Sequence, residues 1–352
     1  MPQHHIHAPG LPDRAAIHDV LVRYFQGIDA GRLCSRITAL AIATVACGPG
    51  SAVGQSYPSK PIRLLVAYPP GGSTDINARV LAPKLGDSLG QQVVVDNRPG
   101  ASGMIATTIL AKSAPDGHTL MMVDTAHSAN PALYRTMPYD TLKDFSAISL
   151  VTRIPMVLVV HPSLPANSVK DLVALAKSRP GNLNYASAGT GSPMFLVAEL
   201  FKSATDINVV HIAYKGGGPA LAELMGGQIP MLFISVTAGM PQVQAGRVRA
   251  LGVTSLQRSS AHPKLPTIAE SGVPGFEFYL WQAAIAPAGV PRAIITQINN
   301  DIVAALGKAD VRERLTGLGN ELIGNTPAQA TDFIRSEVEL WRKTIKPELR
   351  IE

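Results

Sequence analysis

The stretch VAYPPGGSTDINAR, residues 66–79, limits the possible folds more than any other part of the chain. An apolar run over 62–67 ends in Pro69-Pro70-Gly71-Gly72, and helix-start chemistry follows at once. Ser73 and Thr74 are expected N-caps, Asp75 falls in the first turn, and Ile76, Val80, Leu81 and Leu85 recur at helical spacing. The pattern is strand, tight loop, helix. Glycines leave the backbone bare, so unpaired N–H groups and the positive end of the helix dipole are placed to hold an anion. One such turn serves a fold as readily as a ligand. Pro83 removes a backbone hydrogen bond inside this helix and is expected to kink it.

The device recurs. A β run over 92–96 leads into Asn97-Arg98-Pro99-Gly100-Ala101-Ser102-Gly103, with Ser102 expected to cap a helix over 104–112. A strand over 118–123 is followed by a loop, 124–130. The apolar stretch 148–160, interrupted by Arg153 and Pro155, is long for one strand and suits a segment crossing between two halves. Asn167-Ser168-Val169-Lys170-Asp171 opens a helix with a capping-box pattern that closes at Pro180-Gly181. A strand over 183–186 then meets Ser187-Ala188-Gly189-Thr190-Gly191-Ser192-Pro193, with Ser192 at N-cap and Pro193 at the first helical position. Another strand, 209–212, meets Tyr214-Lys215-Gly216-Gly217-Gly218, with Pro219 expected to open the next helix. Strands over 231–234 and 249–254 follow. After 278–286 the chain is chiefly helical, over 291–306, 311–318 and 326–346, the last with Thr326 and Gln329 as a capping box. Such alternation predicts an α/β fold of two lobes, each with a largely parallel sheet, and ligands at strand carboxyl ends in the cleft between them.

The chemistry these loops exclude is as informative. None completes GxxxxGK[ST], none gives GxGxxG with an acidic partner, and no GxSxG elbow is present. Both cysteines, Cys34 and Cys47, precede the folded body, which therefore has no thiol nucleophile or cysteine metal site. The histidines beyond residue 54 stand singly, so no metal site and no cofactor is expected. A net charge of +6, spread without a basic run, gives nucleic-acid binding little support and allows only a mild attraction for acidic small molecules. Hydroxyls and bare amides without a nucleophile, base or metal set bind carboxylates but do not obviously turn them over.

Residues 32–54 have the plan of a secretory leader: Arg32 and Arg36, an apolar core over 37–46, then small residues to Gly54. Thr44-Val45-Ala46-Cys47 resembles a lipoprotein box without its usual leucine, so cleavage without lipidation is expected. Upstream, residues 11–31 resemble the opening helix of SnoaL-like proteins but none of that fold's sheet, and residues 1–31 are read as an extraneous extension.

The segments YPSKPIRLLVAYPPGGSTDINAR, VVVDNRPGASG, APDGHTLMM, NPALYRTMPYDTLKDF, ASAGTGSPMFLVAELF, AYKGGGPALAELMGGQI, VRALGVTS and LPTIAESGVPGF occur in order. Together they resemble the tripartite tricarboxylate transporter receptors, the Bug-type solute-binding proteins. The resemblance implies a two-lobed periplasmic binding protein fold of type II topology with two crossover segments. It puts one lobe at 57–155 and 279–352 and the other at 156–278. It also implies a monomeric, non-enzymatic receptor that captures a small carboxylate and docks on a membrane permease, with a sensor protein as the alternative partner and an enzyme on the same fold as the other alternative. By position it assigns binding roles to Gly71, Gly72, Ser73, Thr74 and Asp75, with Thr125 and His127 near them. From the facing lobe it assigns Ser187, Gly189, Thr190, Gly191 and Ser192, then Tyr214, Lys215 and Phe233. The chain departs from the family pattern at Pro230 and Ile234-Ser235, which puts ligand identity in question rather than the fold. The leader reading has a direct test: mass spectrometry of protein recovered from the periplasm should find a chain starting near Gln55, and an intact N-terminus would overturn it.

Overall fold

Apolar residues occupy both faces of the first strand, β1 (Ile62–Val66), and that decides the architecture around it. Ile62, Leu64 and Val66 enter one core while Leu65 enters another, so both faces of the strand must be covered. The computed structural model describes residues 57–259, 262–345 and 349–351; the extension over 1–31, the leader over 32–54 and Cys47 lie outside the described residues.

In the first group of elements β1 lies parallel between β2 (Val93–Asn97) and β3 (Thr119–Asp124). Helix α1 (Ser73–Leu89) follows β1, α2 (Met104–Ala111) follows β2, and α3 (Thr125–Leu133) follows β3. Then comes β4 (Phe145–Val160), sixteen residues long and buried almost throughout from Ile148 on. Beyond it lie α4 (Val169–Ser178), β5 (Asn184–Ser187), α5 (Pro193–Thr205), β6 (Val210–Ala213), α6 (Gly217–Met225), β7 (Met231–Ser235), α7 (Val236–Gln244) and β8 (Arg249–Val253). The chain returns through β9 (Tyr279–Pro287) and ends with α8 (Arg292–Gly307), α9 (Ala309–Gly317), β10 (Glu321–Leu322) and α10 (Pro327–Thr344).

The strand order is β2-β1-β3-β9-β4-β7-β5-β6, with β8 and β10 also pairing β4. β4 joins the two groups. As far as Pro155 it runs antiparallel to β9, and from Met156 it runs antiparallel to β7 and β8. Beyond β7 the pairing is parallel again, β7 to β5 to β6. Two cores therefore flank the first part of the sheet, while a third and larger one gathers Val157, Tyr185, Phe201, Phe233 and Val253. Leu133 of α3 and Trp341 of α10 also enter that third core, tying these two helices to the second group of strands. Among the described residues no helix is long and apolar enough to cross a membrane.

Several local expectations are corrected. The N-cap of α1 is Gly72, not Ser73 or Thr74, whose side chains lie buried inside the first turn. Ser102 does not cap α2; it takes a left-handed backbone conformation and turns its hydroxyl toward another loop. The expected loop over 124–130 is helix α3, because Asp124 accepts a hydrogen bond from Ala126 N–H and buried small residues pack the rest. Gly216, not the residue before Pro219, caps α6. α7 was not anticipated, although Ser235 accepts from Ala238 N–H as a normal cap does. The caps at Ser168, Ser192 and Thr326 are as expected.

Gly216 sits at φ +140, where glycine alone is comfortable, and a Cβ there would lie 2.9 Å from the Pro69 ring of the opposite group. Gly216→Ala should cost about 1 to 3 kcal/mol of stability and loosen the contact between the groups. Thermal melts and small-angle scattering should show a lower midpoint and a larger radius; no change in either would mean that this loop does not seat against Pro69.

Candidate ligand-binding cleft

Between the two groups lies a cavity of about 300 Å³. Four helix starts reach it: Gly72, Ser73 and Thr74 of α1, Pro193 and Met194 of α5, Gly217 and Gly218 of α6, and Ser235, Thr237 and Ala238 at α7. Ser192 and Ser235 cap α5 and α7 with their own hydroxyls, but no side chain caps α1 or α6. These two bare starts, one from each group, present N–H groups to the same space, and a carboxylate is the natural missing cap. The rest of the wall is mostly apolar, with Ile76, Met156, Leu221, Ile234 and Leu280, and its polar side chains include Tyr68 and Gln242. Among the described residues lining it none is lysine, arginine or histidine.

The loop before α1 is held from behind. The Asp75 carboxylate accepts from Gly71 N–H at 3.0 Å, from Arg79 Nε at 2.9 Å and from Asn97 Nδ2 at 2.9 Å. Burial opposes its ionisation, yet these hydrogen bonds and the Arg79 charge outweigh burial and hold it below the usual carboxylate range. Asp75 therefore braces the loop and does not line the cavity. Below it, Asn77 Nδ2 donates to Gln282 Oε1 at 2.8 Å and to Asn320 Oδ1 at 2.7 Å. Gln282 Nε2 in turn donates to Thr74 Oγ1 at 3.2 Å, and Asn320 Nδ2 to Thr237 Oγ1 at 3.4 Å. This buried network ties helix starts on both sides of the cavity to the strands between them.

A second, larger chamber shares Tyr68, Pro69 and Ala188 with the first, and Gly189, Thr190, Tyr214 and Lys215 line it. Here the groups touch directly: the Ser102 hydroxyl donates to the Thr190 carbonyl, and the Tyr134 hydroxyl reaches the same oxygen at 3.3 Å. A Cβ on Gly191 would lie 3.1 Å from both Leu133 and the Ser102 hydroxyl. Gly191 thus permits close approach between the loops.

The other candidates sit behind the walls. Ser187 is buried, with its hydroxyl against His211 Nε2 at 2.6 Å and accepting from Gly189 N–H at 3.1 Å, so it shapes its loop. Ser192 caps α5 from a buried position. Thr125 is fully buried and accepts from Trp281 N–H at 3.2 Å. His127 packs against Tyr139 and Phe145, where burial pushes its pKa down to about 4, so it is neutral and lines neither chamber. Phe233 belongs to the large core against Phe201 because it faces the covered side of β7.

The cavity wall also holds Asp124, 6% exposed, which caps α3 and lies 3.4 Å from the Tyr68 hydroxyl. Burial raises its pKa to about 6, against hydrogen bonds from Ala126 and Tyr68 that lower it. Its folded carboxyl holds a proton that the unfolded chain releases near 3.8, so stability is highest below that value and falls as pH rises toward 6. Asp124→Asn keeps an N-cap and removes the buried charge. Relative to the parent it should gain about 1 to 3 kcal/mol between about pH 4 and pH 7. Paired thermal melts across that window check this, and a constant difference would contradict it.

Comparison with known proteins follows the same geometry. Residues 77–349 match the family model described as tripartite tricarboxylate transporter family receptor. Protein BugT of Bordetella pertussis is 40% identical over 293 residues, covering 83% of this chain and 90% of its own. The solved structure of R. palustris Rpa4515 with adipate is 37% identical at a TM-score of 0.79, covering 82% of this chain and 96% of its own. That of the periplasmic binding protein BugD is 33% identical at 0.79, covering 82% and 97%. With this family match, these relatives and the two-lobed α/β fold, the chain belongs to the tripartite tricarboxylate transporter receptors of the Bug type.

Proposed function

We propose that this protein is exported to the periplasm, captures a small carboxylate between its lobes and delivers it to the membrane subunits of a tripartite tricarboxylate transporter. The observation that carries this reading is the pair of uncapped helix starts, α1 and α6, meeting across one cavity without a lysine or arginine in its described wall. Neutral N–H donors in low-dielectric surroundings hold an anion firmly by geometry and still release it, because no full counter-charge must be separated. Adipate in the solved relative Rpa4515 supports the chemical class. The lobes are taken as 57–155 with 279–352, and 156–278, with the chain passing between them near Pro155 and Tyr279. The receptor works as a monomer, without cofactor or catalysis, and its ligand leaves unchanged.

The ligand itself is contacted by Gly72, Ser73 and Thr74 from one side and by Gly217 and Gly218 from the other; Thr190, Tyr214 and Lys215 line the approach. Gly72 has φ −77 and ψ 163, angles that valine accepts, and a Cβ there meets nothing nearer than 3.9 Å. Gly72→Val should therefore keep the fold while its branched side chain intrudes on the ligand's place. Native mass spectrometry of protein recovered from the periplasm should find a bound carboxylate, and calorimetry with that compound should show saturable binding with the ligand recovered intact. The variant should bind it about 1.5 to 3 kcal/mol more weakly, roughly ten- to a hundredfold. Equal affinity with an unchanged melt would place the ligand elsewhere, and a retained cation or neutral sugar would overturn the carboxylate reading.

A further inference from the structure

The walls of the cavity say more about the ligand than that it is an anion. Two bare helix starts supply about half a positive charge each, together the complement of one carboxylate. The starts of α5 and α7 already have serine caps. The surface left over is mainly Ile76, Met156, Leu221, Ile234 and Leu280, with the polar side chains of Tyr68 and Gln242, and the carboxyl group among the described lining residues is that of Asp124.

Building on the carboxylate-receptor reading, we propose that the cleft selects a ligand with a single carboxylate and an apolar body, and that Asp124 is a specificity-determining residue that turns away a second carboxylate. Three observations converge on this. A second carboxylate would lose its water against a mostly aliphatic wall that offers no lysine, arginine or histidine among the described residues. In a cavity of about 300 Å³ it would also lie within on the order of 10 Å of Asp124, where the low dielectric screens repulsion poorly. Asp124 itself is held in place by Ala126 N–H and Tyr68, so it cannot swing away to relieve that repulsion. An apolar body, by contrast, exchanges water for Met156, Leu221 and Leu280 and gains from the transfer.

Because the solved relative Rpa4515 holds adipate, the six-carbon pair hexanoate and adipate is the discriminating probe, with hexanamide as the control for the carboxylate. Calorimetry at neutral pH on the ligand-stripped full protein should give hexanoate an affinity at least roughly tenfold above that of adipate, with hexanamide far weaker than either. Asp124→Asn should shrink the hexanoate-to-adipate ratio by about threefold or more, and its melting curve reports whether it folds. Adipate binding as tightly as hexanoate to the parent would overturn the inference while leaving the carboxylate reading intact. Hexanamide equal to hexanoate would overturn the carboxylate reading instead. A parent preference for hexanoate that survives unchanged in a folded Asp124→Asn protein would remove Asp124 from the selection. Absence of binding by hexanoate at millimolar concentration would sink the proposed ligand class outright.

Discussion

The first amides of a helix have no partner inside it, and where a cap is missing something from outside must supply one. That constraint organises this protein. α1 and α6 begin at Gly72 and Gly216 without side-chain caps, and the two starts come from opposite groups of strands yet face one cavity. Much else in the vicinity serves to keep them bare. Asp75, which in another protein would be free to accept from the helix start, is occupied by Gly71, Arg79 and Asn97. Thr74 is engaged by Gln282. Each bond removes an internal competitor for the amides and leaves them open to a partner from solution.

Holding two such starts in register requires a rigid connection, and β4 provides it. The strand leaves β9 at Pro155 and enters the pairing with β7 and β8 at Met156, so a single run of buried backbone belongs to both parts of the sheet. Proline suits the junction because it gives up an N–H where one set of ladder bonds ends and the next begins. Nearby, Arg153 donates twice to Glu321, at 2.9 and 2.7 Å, and stacks 4.1 Å above the Tyr279 ring, steadying the crossing on its exposed side. Ile154, Val157 and Val159 are buried on either side of this change of partners, which holds the crossing firmly in the fold.

The strand–loop–helix rhythm was legible in the sequence because parallel strands buried on both faces and helices with serine or threonine caps leave strong local marks. Ser168, Ser192 and Thr326 stand where capping chemistry puts them. The misreadings have a common cause, which is that tertiary packing overrode weak local preference. α3 consists largely of small and polar residues with Pro131 among them, and only its burial against neighbouring elements makes it a helix worth forming. α7 carries Gly239 and Pro241, and Gly239 is required because a Cβ would lie 2.6 Å from Ile234 and 3.0 Å from Val157. Missing α7 hid Thr237, Ala238 and Gln242 from the expected cleft, although Ser235 was a readable cap. Phe233 and His127 were placed near the ligand by position in the chain alone; which face of a strand or helix meets the cleft is a fact of packing that spacing does not contain.

Among the described residues the polar contacts across the cavity are neutral ones, Ser102 and Tyr134 on the Thr190 carbonyl and Asn320 on Thr237, beside the seat of Pro69 beneath Gly216 and the apolar packing of Leu133 and Trp341 in the large core. A neutral hydrogen bond nets only about 0.5 to 1.5 kcal/mol against solvent, so such contacts bring the sides together without committing them. The loop at Ser102 even carries left-handed backbone at two non-glycine positions, Ala101 and Ser102, a local cost that offsets part of what the contact to Thr190 contributes. On the carboxylate-receptor reading, one carboxylate bridging the bare starts of α1 and α6 interacts with both sides only when they are together, and that difference in affinity between open and closed forms is what couples occupancy to shape. On that reading weak polar contacts across the cavity suit a receptor, because a stronger set would close it empty and leave a loaded molecule indistinguishable from an unloaded one.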